Sequence, residues 1–275
     1  MSHIATITWL TFHEAWRRRM VLLALILGVL FLVIFGVGFT LIVTNLNPRV
    51  GVIERRYGFN LLLMVGFYVV HFLTVMLAIF ASVDTISGEI TSHTIQAIIT
   101  KPIRRWQVLI GKWLGYAAMI GIYLGLLTGG ILAVVALVAD YQPPNALAGV
   151  VLLWLEALVL LSLSLLAGTR LSTLSNGVLL FMLYGLAFIG AWVEQIGSLL
   201  ESPAAVNIGI ITSLLMPVEA LWRRAAYLMQ PPVMTAIPTP FSGASPPSTA
   251  MVVYALLYAA LALGLALRRF GRRDL

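Results

Sequence analysis

The chain alternates between long apolar blocks and short polar interruptions, and this alternation predicts its architecture. Six blocks reach about 20 residues, the length that a helix needs to cross the hydrocarbon layer of a bilayer. Irregular backbone cannot satisfy its hydrogen bonds in lipid, so each block is expected to be helical. The predicted spans are residues 21–44, 61–82, 108–138, 146–168, 176–196 and 249–267.

Three of the segments outside these blocks have patterns of their own. Residues 1–20 gather aromatic and apolar side chains on one side, which indicates a helix lying in the membrane interface. Residues 45–60 are polar and contain Pro48, so we expect a loop there. Residues 83–107 are polar and hold a short amphipathic helix, which Lys101 and Pro102 would end.

The region between the fifth and sixth blocks, residues 197–248, is expected to lie outside the cytoplasm and to be irregular or re-entrant. An apolar stretch at residues 206–221 is short and contains Pro217 and Glu219, so a re-entrant or interfacial segment is favoured over a span. The proline-rich residues 231–247 cannot form regular helix. The predicted fold is an all-α integral membrane protein, one domain over residues 1–275, with six transmembrane helices.

The charge distribution predicts the orientation. Six spans place both termini on one side, and that side holds most of the 17 lysines and arginines. The positive-inside rule then puts both termini in the cytoplasm of a multi-pass plasma-membrane protein. The net charge of +7 comes from these span ends, and no basic domain outside the spans suggests nucleic acid as a partner.

Composition narrows the chemistry further. The chain is 61% hydrophobic and 10% charged, with a mean hydropathy of +1.01, whereas soluble domains carry about 25% charged residues. It has no cysteine, and His3, His13 and Glu14 on one helix are too few ligands for a metal site. The Gly111-Lys112 pair does not complete a phosphate-binding loop. We therefore expect no catalytic residue, metal or cofactor, and no ATP hydrolysis by this chain alone.

Two ionisable residues lie inside apolar blocks. His71 and Glu156 are each about ten residues from the outer end of their span, which places both about 15 Å deep. Such groups usually face a partner or a cavity, so we expect them to face the bundle interior. They could form a pair, or each could be satisfied by a different neighbouring helix.

Four aromatic side chains near span ends are expected to act as anchors at the membrane–water interface. They are Trp192, Trp222, Tyr141 and Tyr227.

The polar segment between the second and third blocks carries a family resemblance. Residues 87–115 read SGEITSHTIQAIITKPIRRWQVLIGKWLG. This segment resembles the signature region of ABC transporter permeases of the type-2 exporter class, and departs from it at His93, where that family usually has glycine. The residues that match the pattern are Glu89, Thr94, Ile95, Pro102, Arg105, Gly111 and Lys112.

Two further segments resemble the same family. ITWLTFHEAWRRRM, residues 7–20, is similar to its interfacial helix, to which Glu14, Trp16 and Arg17 would belong. SLLMPVEALWRRA, residues 213–225, is similar to a motif in the bacterial copper-maturation and gliding-type branch.

The resemblance implies a permease that pairs with a second permease copy, identical or different, and with one cytoplasmic ATPase subunit per copy. ATP would be bound by that subunit, and residues 83–107 would form the coupling segment that contacts it. Residues 197–248 would include short helices that re-enter the membrane from outside. The contact residues implied are Glu89, Thr94, Ile95, Pro102, Arg105 and Lys112. The alternatives are an ATP-independent secondary carrier and a membrane scaffold or membrane-embedded enzyme that does not transport.

Overall fold

The protein is described by a computed structural model that covers residues 3–47, 49, 51–85, 88, 104–232 and 247–272. Within these residues the regular structure is entirely helical, as the apolar pattern predicts. The helices are α1 (His3–Arg17), α2 (Arg19–Thr44), α3 (Val52–Ser82), α4 (Arg105–Ala139), α5 (Ala146–Gly168), α6 (Thr173–Leu199), α7 (Pro203–Leu215), α8 (Val218–Met229) and α9 (Thr249–Gly271).

Six of these helices, α2 to α6 and α9, are long and apolar enough to cross a membrane. Helices α3 and α5 are the most enclosed by protein, whereas α2 and α9 are the least enclosed. An apolar exterior of this kind suits contact with lipid chains, because lipid gives buried and exposed apolar positions similar surroundings. The protein is a multi-pass membrane protein with α3 and α5 at its centre.

Both described chain ends lie at the same end of the bundle. Helix α1 packs against the first turns of α4, and the last turns of α9 border a cavity together with Thr169 and Arg170, which follow α5. We call this the terminal end. The far end carries the α4–α5 turn, where Asp140 and Asn145 adopt left-handed backbone angles that Asp and Asn tolerate better than most residues.

The prediction of a loop over residues 45–60 is wrong from residue 52 onward. Helix α3 begins at Val52, and the Glu54 carboxylate accepts a hydrogen bond of 3.2 Å from the Gly51 backbone N–H. Its 31 residues extend about 46 Å, which exceeds the hydrocarbon thickness of about 30 Å. The polar residues therefore occupy helical turns that project beyond the lipid layer.

Between α6 and α9, residues 203–229 form two short helices, α7 and α8, which agrees with the short re-entrant helices expected in this region. Helix α7 runs antiparallel to the second half of α6, so that Gly190 lies beside Thr212 and Gly197 beside Ala205. Most of the proline-rich segment, residues 233–246, lies outside the described residues.

The chain turns sharply between α7 and α8. Met216 is extended because it precedes Pro217, and the two helices differ in direction by 104°. Helix α8 then returns to the far end, where the Met229 carbonyl accepts a 3.2 Å hydrogen bond from the Asn60 side chain. Because the α7–α8 pair enters and leaves at the far end, it is a re-entrant hairpin, and the described residues form six spans.

Candidate functional site

Helix α1 is fixed to the start of α4 through a groove of two glycines. A Cβ atom at Gly111 would lie 2.7 Å from the Ile7 Cβ, and one at Gly115 would lie 2.8 Å from the Thr11 Cβ. Small residues four apart let two helix backbones approach closely. The N-terminal helix is therefore packed directly onto the helix that receives the chain from the predicted coupling segment.

Two ion pairs and a hydrogen bond connect α1, the exit of α3 and the start of α6 at the terminal end. The Arg18 guanidinium, at the break between α1 and α2, lies 2.9 Å from the Glu14 carboxylate and 3.5 Å from the Asp84 carboxylate. The Thr173 hydroxyl, in the first turn of α6, donates a 3.1 Å hydrogen bond to Asp84. Burial opposes the charge of Arg18, but the nearby Tyr116 and the two carboxylates raise its pKa above the ordinary value.

A second contact holds the end of α3 from the other side. The fully buried Asn176 amide donates to the Val83 carbonyl at 3.2 Å and to the Ser164 carbonyl, on α5, at 3.1 Å. We call Arg18, Val83, Asp84, Thr173 and Asn176 the terminal junction. It joins the exit of α3 to α2, α5 and α6.

The structure describes only part of the predicted coupling contact. Glu89, Thr94, Ile95 and Pro102 lie outside the described residues. Arg105 begins α4, and the Lys112 side chain is buried one residue beyond Gly111. Their contact with an ATPase stays a prediction.

The predicted interfacial residues lie on a separate helix, α1. Glu14 forms an ion pair with Arg18, whereas Arg17, the arginine expected to belong to this site, is exposed. The Trp16 ring stacks on Phe12 at 5.8 Å, and Trp9 is largely exposed. An apolar face is thus available for the membrane interface, although that location stays a prediction.

The structure brings His71 and Glu156 together inside the bundle. The His71 Nδ1 atom lies 2.9 Å and 3.0 Å from the two Glu156 carboxylate oxygens, and each residue is 1% exposed. His71 is on α3 and Glu156 on α5, the two most enclosed spans. The two side chains therefore pair with each other, and the alternative in which a different neighbouring helix satisfies each of them is wrong.

The other side of the same imidazole faces the tip of the re-entrant hairpin. The His71 Nε2 atom lies 3.4 Å from a Glu219 carboxylate oxygen and 3.5 Å from the Tyr184 hydroxyl. The Trp222 ring stacks on the imidazole, with ring centroids 5.1 Å apart. We call His71, Glu156, Tyr184, Glu219 and Trp222 the central cluster. It joins α3, α5, α6 and α8.

The whole-chain comparison agrees with this architecture. Residues 5–275 match the sequence model of the ABC-2 family transporter protein family. The chain belongs to this family. It is thus a membrane permease of an ABC transporter, and the narrower resemblance to the copper-maturation and gliding-type branch stays a prediction. No curated protein matches the sequence closely enough to count as a relative.

Three residues of the permease's central cluster were missed from sequence: Tyr184, Glu219 and Trp222. Trp222 was expected at the membrane interface, but it is 3% exposed and stacks on His71. Tyr141, which lies outside the cluster, was also expected at the interface; it is buried, and its hydroxyl accepts a 2.9 Å hydrogen bond from the Asn60 amide. Glu219 was noted only as an interruption of an apolar stretch. Its position three residues before Trp222 indicates that both lie on one face of a helix, but the spacing does not indicate that this face meets His71.

The central cluster gives this permease a buried electrostatic attachment for its hairpin. Two carboxylates face one imidazole at a depth where water is excluded, so removing any one member leaves a buried charge or polar atom without its partner. A second ion pair supports the hairpin, because the Arg223 guanidinium on α8 lies 2.8 Å from the Glu194 carboxylate on α6. Within the described residues, no group of three or more His, Asp or Glu side chains is arranged to hold a metal ion.

Proposed function

We propose that this permease is the membrane-spanning subunit of an ATP-driven exporter. A separate cytoplasmic ATPase subunit binds and hydrolyses ATP, and the permease converts that energy into export of a substrate across the plasma membrane. The observation that carries the proposal is the terminal junction, considered together with the family. It ties α2, α5 and α6 to the point where the chain leaves α3 for the predicted coupling segment.

Force applied to the coupling segment has two routes into the bundle. Upstream, the chain leaves α3 at Asp84, which contacts Arg18 and Thr173. Downstream, it enters α4, whose Gly111 and Gly115 hold α1. A displacement of the segment would thus be transmitted to α1, α2, α3, α4 and α6 together. Coupling requires such a contact to differ between two states of the ATPase.

The basic residues support a cytoplasmic terminal end. Arginines cluster at the break between α1 and α2, at the start of α4, in the α5–α6 turn and in the last turns of α9. This is the asymmetry that the positive-inside rule associates with the cytoplasm. In that orientation the far end, with the re-entrant hairpin, faces outward.

The central cluster offers a path from the coupling side to the outward side. Asp84 follows the last residue of α3 by two positions, and His71 lies about 20 Å back along the helix axis. A shift of α3 at the terminal junction would move His71 relative to Glu219 at the hairpin tip, 3.4 Å away. We infer that the hairpin is the outward gate and that the central cluster holds it closed.

The proposal also includes a second permease copy, identical or different. Helix α2 is 26 residues long, and only Val21, Gly28 and Phe39 among its residues are buried within one copy. Such a helix can face lipid, a second copy, or both in turn during a transport cycle.

A co-purification experiment tests the coupling contact. The tagged permease is extracted from its native membrane, and ATPase recovered with it is compared for Glu89→Arg and for Glu54→Arg. Glu89 lies in the predicted coupling segment, while Glu54 lies at the far end of α3. We expect the first substitution to reduce recovered ATPase about tenfold and the second to leave it within about twofold, since about 1.4 kcal/mol of lost contact gives a tenfold change.

Equal recovery of ATPase with both variants would contradict the coupling assignment. Transport driven by an ion gradient in liposomes that contain the permease and no ATPase would instead support a secondary carrier.

A further inference from the structure

The terminal end of the permease holds a basic cavity that the coupling proposal does not use. The cavity has a volume of about 600 Å³ and lies between the α5–α6 turn and the last turns of α9. Its lining residues are Thr169, Arg170, Leu265, Arg268, Arg269 and Arg272.

Four exposed guanidinium groups line one cavity, and their like charges favour a bound anion. Within the described residues, none of these arginines forms an ion pair with Asp or Glu, and no carboxylate lines the cavity. Arginine binds phosphate through paired N–H donors in a fixed planar fork, and it gives up its hydration more easily than lysine. The cavity therefore has the chemistry of a phosphate site.

An exposed apolar ridge on α9 leads into this cavity. Val253, Leu257, Leu261 and Leu265 follow one another at every fourth position and are between 36% and 66% exposed. The small side chains of α9, among them Ala255 and Ala259, occupy the opposite, buried face. At 1.5 Å per residue the ridge is about 18 Å long, close to one leaflet of a bilayer whose hydrocarbon core is about 30 Å thick.

The arginines at the end of α9 lie on the same side of the helix as the ridge. Arg268 and Arg272 are three and seven residues beyond Leu265, which is the helical spacing of a shared face. A ligand bound along this side would place an acyl chain on the ridge and an anionic group among the arginines. A soluble anion would use the cavity alone, and a soluble protein would leave the ridge uncovered.

We propose that this cavity binds the phosphate of an anionic phospholipid, with one acyl chain lying along the α9 ridge. Basic pockets between transmembrane helices on the cytoplasmic side bind headgroups in this way. The site lies beside the terminal junction, because Arg170 is three residues before Thr173 in the α5–α6 turn. The expected occupant is a lipid, because an amphiphile matches both the apolar ridge and the arginines.

Native mass spectrometry of the detergent-solubilised permease tests the proposal, with phosphatidylglycerol, phosphatidylcholine and inorganic phosphate as probes. The site variant replaces Arg170, Arg268 and Arg269 with Gln. The matched control replaces Arg17, Arg19 and Arg104 with Gln, which removes the same charge from the same end of the bundle. We expect one phosphatidylglycerol per chain, bound about tenfold more tightly than phosphatidylcholine, a preference worth about 1.4 kcal/mol.

The site variant should lose phosphatidylglycerol binding about tenfold, while the control keeps it within about twofold. A Leu257→Ser and Leu261→Ser double variant should weaken lipid binding and leave the response to inorganic phosphate unchanged. Equal loss in the site variant and the control would overturn the proposal in favour of nonspecific attraction. Full displacement of the lipid by millimolar phosphate would overturn it in favour of a soluble anion, and loss of ATPase binding with unchanged lipid binding would assign the arginines to a protein partner.

Discussion

Replacing His71 with leucine should destabilise the permease severely, because the imidazole, when protonated, is the positive partner of two buried carboxylates. Glu156 lies 2.9 Å from one ring nitrogen and Glu219 lies 3.4 Å from the other. Leucine fills a similar volume but supplies neither charge nor hydrogen bond. The two carboxylates would then face each other across an apolar side chain.

The geometry sets the expected magnitude. At an effective dielectric constant of about 20, each contact at these distances corresponds to about 5 kcal/mol of attraction before the cost of desolvation. Removing one partner of a buried ion pair typically costs about 3–5 kcal/mol, because the remaining charge stays buried. For a protein of this size the midpoint of thermal unfolding should fall on the order of 10 °C.

Thermal unfolding in detergent, followed by the fraction of protein that stays monodisperse, measures the effect. His13→Leu is the matched control, since His13 is exposed on α1 and its substitution should change stability by less than about 0.5 kcal/mol. An equal midpoint for His71→Leu and His13→Leu would refute the reasoning.

The triple variant His71→Leu, Glu156→Leu and Glu219→Leu gives a sharper test. Replacing an entire buried ion cluster with apolar side chains is often neutral or stabilising by about 1–4 kcal/mol. We therefore expect the triple variant to recover most of the stability lost by His71→Leu. A triple variant less stable than the single variant would show that the cluster stabilises through something other than charge pairing.

Three further predictions concern contacts elsewhere in the bundle. Gly111→Ala should lower stability by about 1–3 kcal/mol, because its Cβ would meet Ile7 at 2.7 Å, whereas Gly125→Ala meets nothing within 4 Å and should gain up to about 1 kcal/mol. Asp84→Asn should reduce ATP-dependent turnover of the assembled transporter, while its half-exposed side chain limits the stability change to about 1 kcal/mol. Asn60→Leu should cost about 1–3 kcal/mol by leaving the buried Met229 carbonyl unpaired.

Each of these predictions has a result that would contradict it. Equal unfolding midpoints for the two glycine variants would mean that α1 is not held by close backbone packing. Wild-type turnover in Asp84→Asn would remove the terminal junction from the coupling route. For Asn60→Leu, the comparison is Asn207→Leu at an exposed position of α7, and equal stability of the two would deny the hydrogen bond its structural role.

The spans could be predicted because lipid imposes a simple rule on the sequence. Helix α5 has the bounds expected from the apolar block at residues 146–168, and the ends of α4 and α6 differ by three residues or fewer. The error at α3 has the opposite cause. Its first nine residues extend beyond the lipid, where helix formation no longer requires apolar side chains.

The central cluster was only half predictable. Counting residues from the outer span ends gave His71 and Glu156 the same depth and left open whether they pair, and the structure shows that they do. Glu219 and Trp222 belong to a hairpin whose path depends on the turn at Pro217 and on packing against α6. Spacing along the chain does not report that path, so their contact with His71 could not be inferred.

At the terminal end, too, the sequence predicted some features and missed the reasons for them. The match to the family's Gly-Lys pair identified Gly111 as part of a motif, but it gave no reason for the glycine. The reason is the close approach of α1, which only the packed structure reveals. Likewise, a run of three arginines does not say which one is turned inward, and the break between α1 and α2 selects Arg18.

The central claim is that the energy for transport comes from a separate ATPase that acts through the terminal end. The most direct test measures ATP hydrolysis by the purified permease in liposomes, with and without the proposed ATPase subunit. The account predicts that the permease alone hydrolyses no more ATP than protein-free liposomes, and that activity appears only with both chains present. Hydrolysis or substrate movement by the permease alone would contradict it.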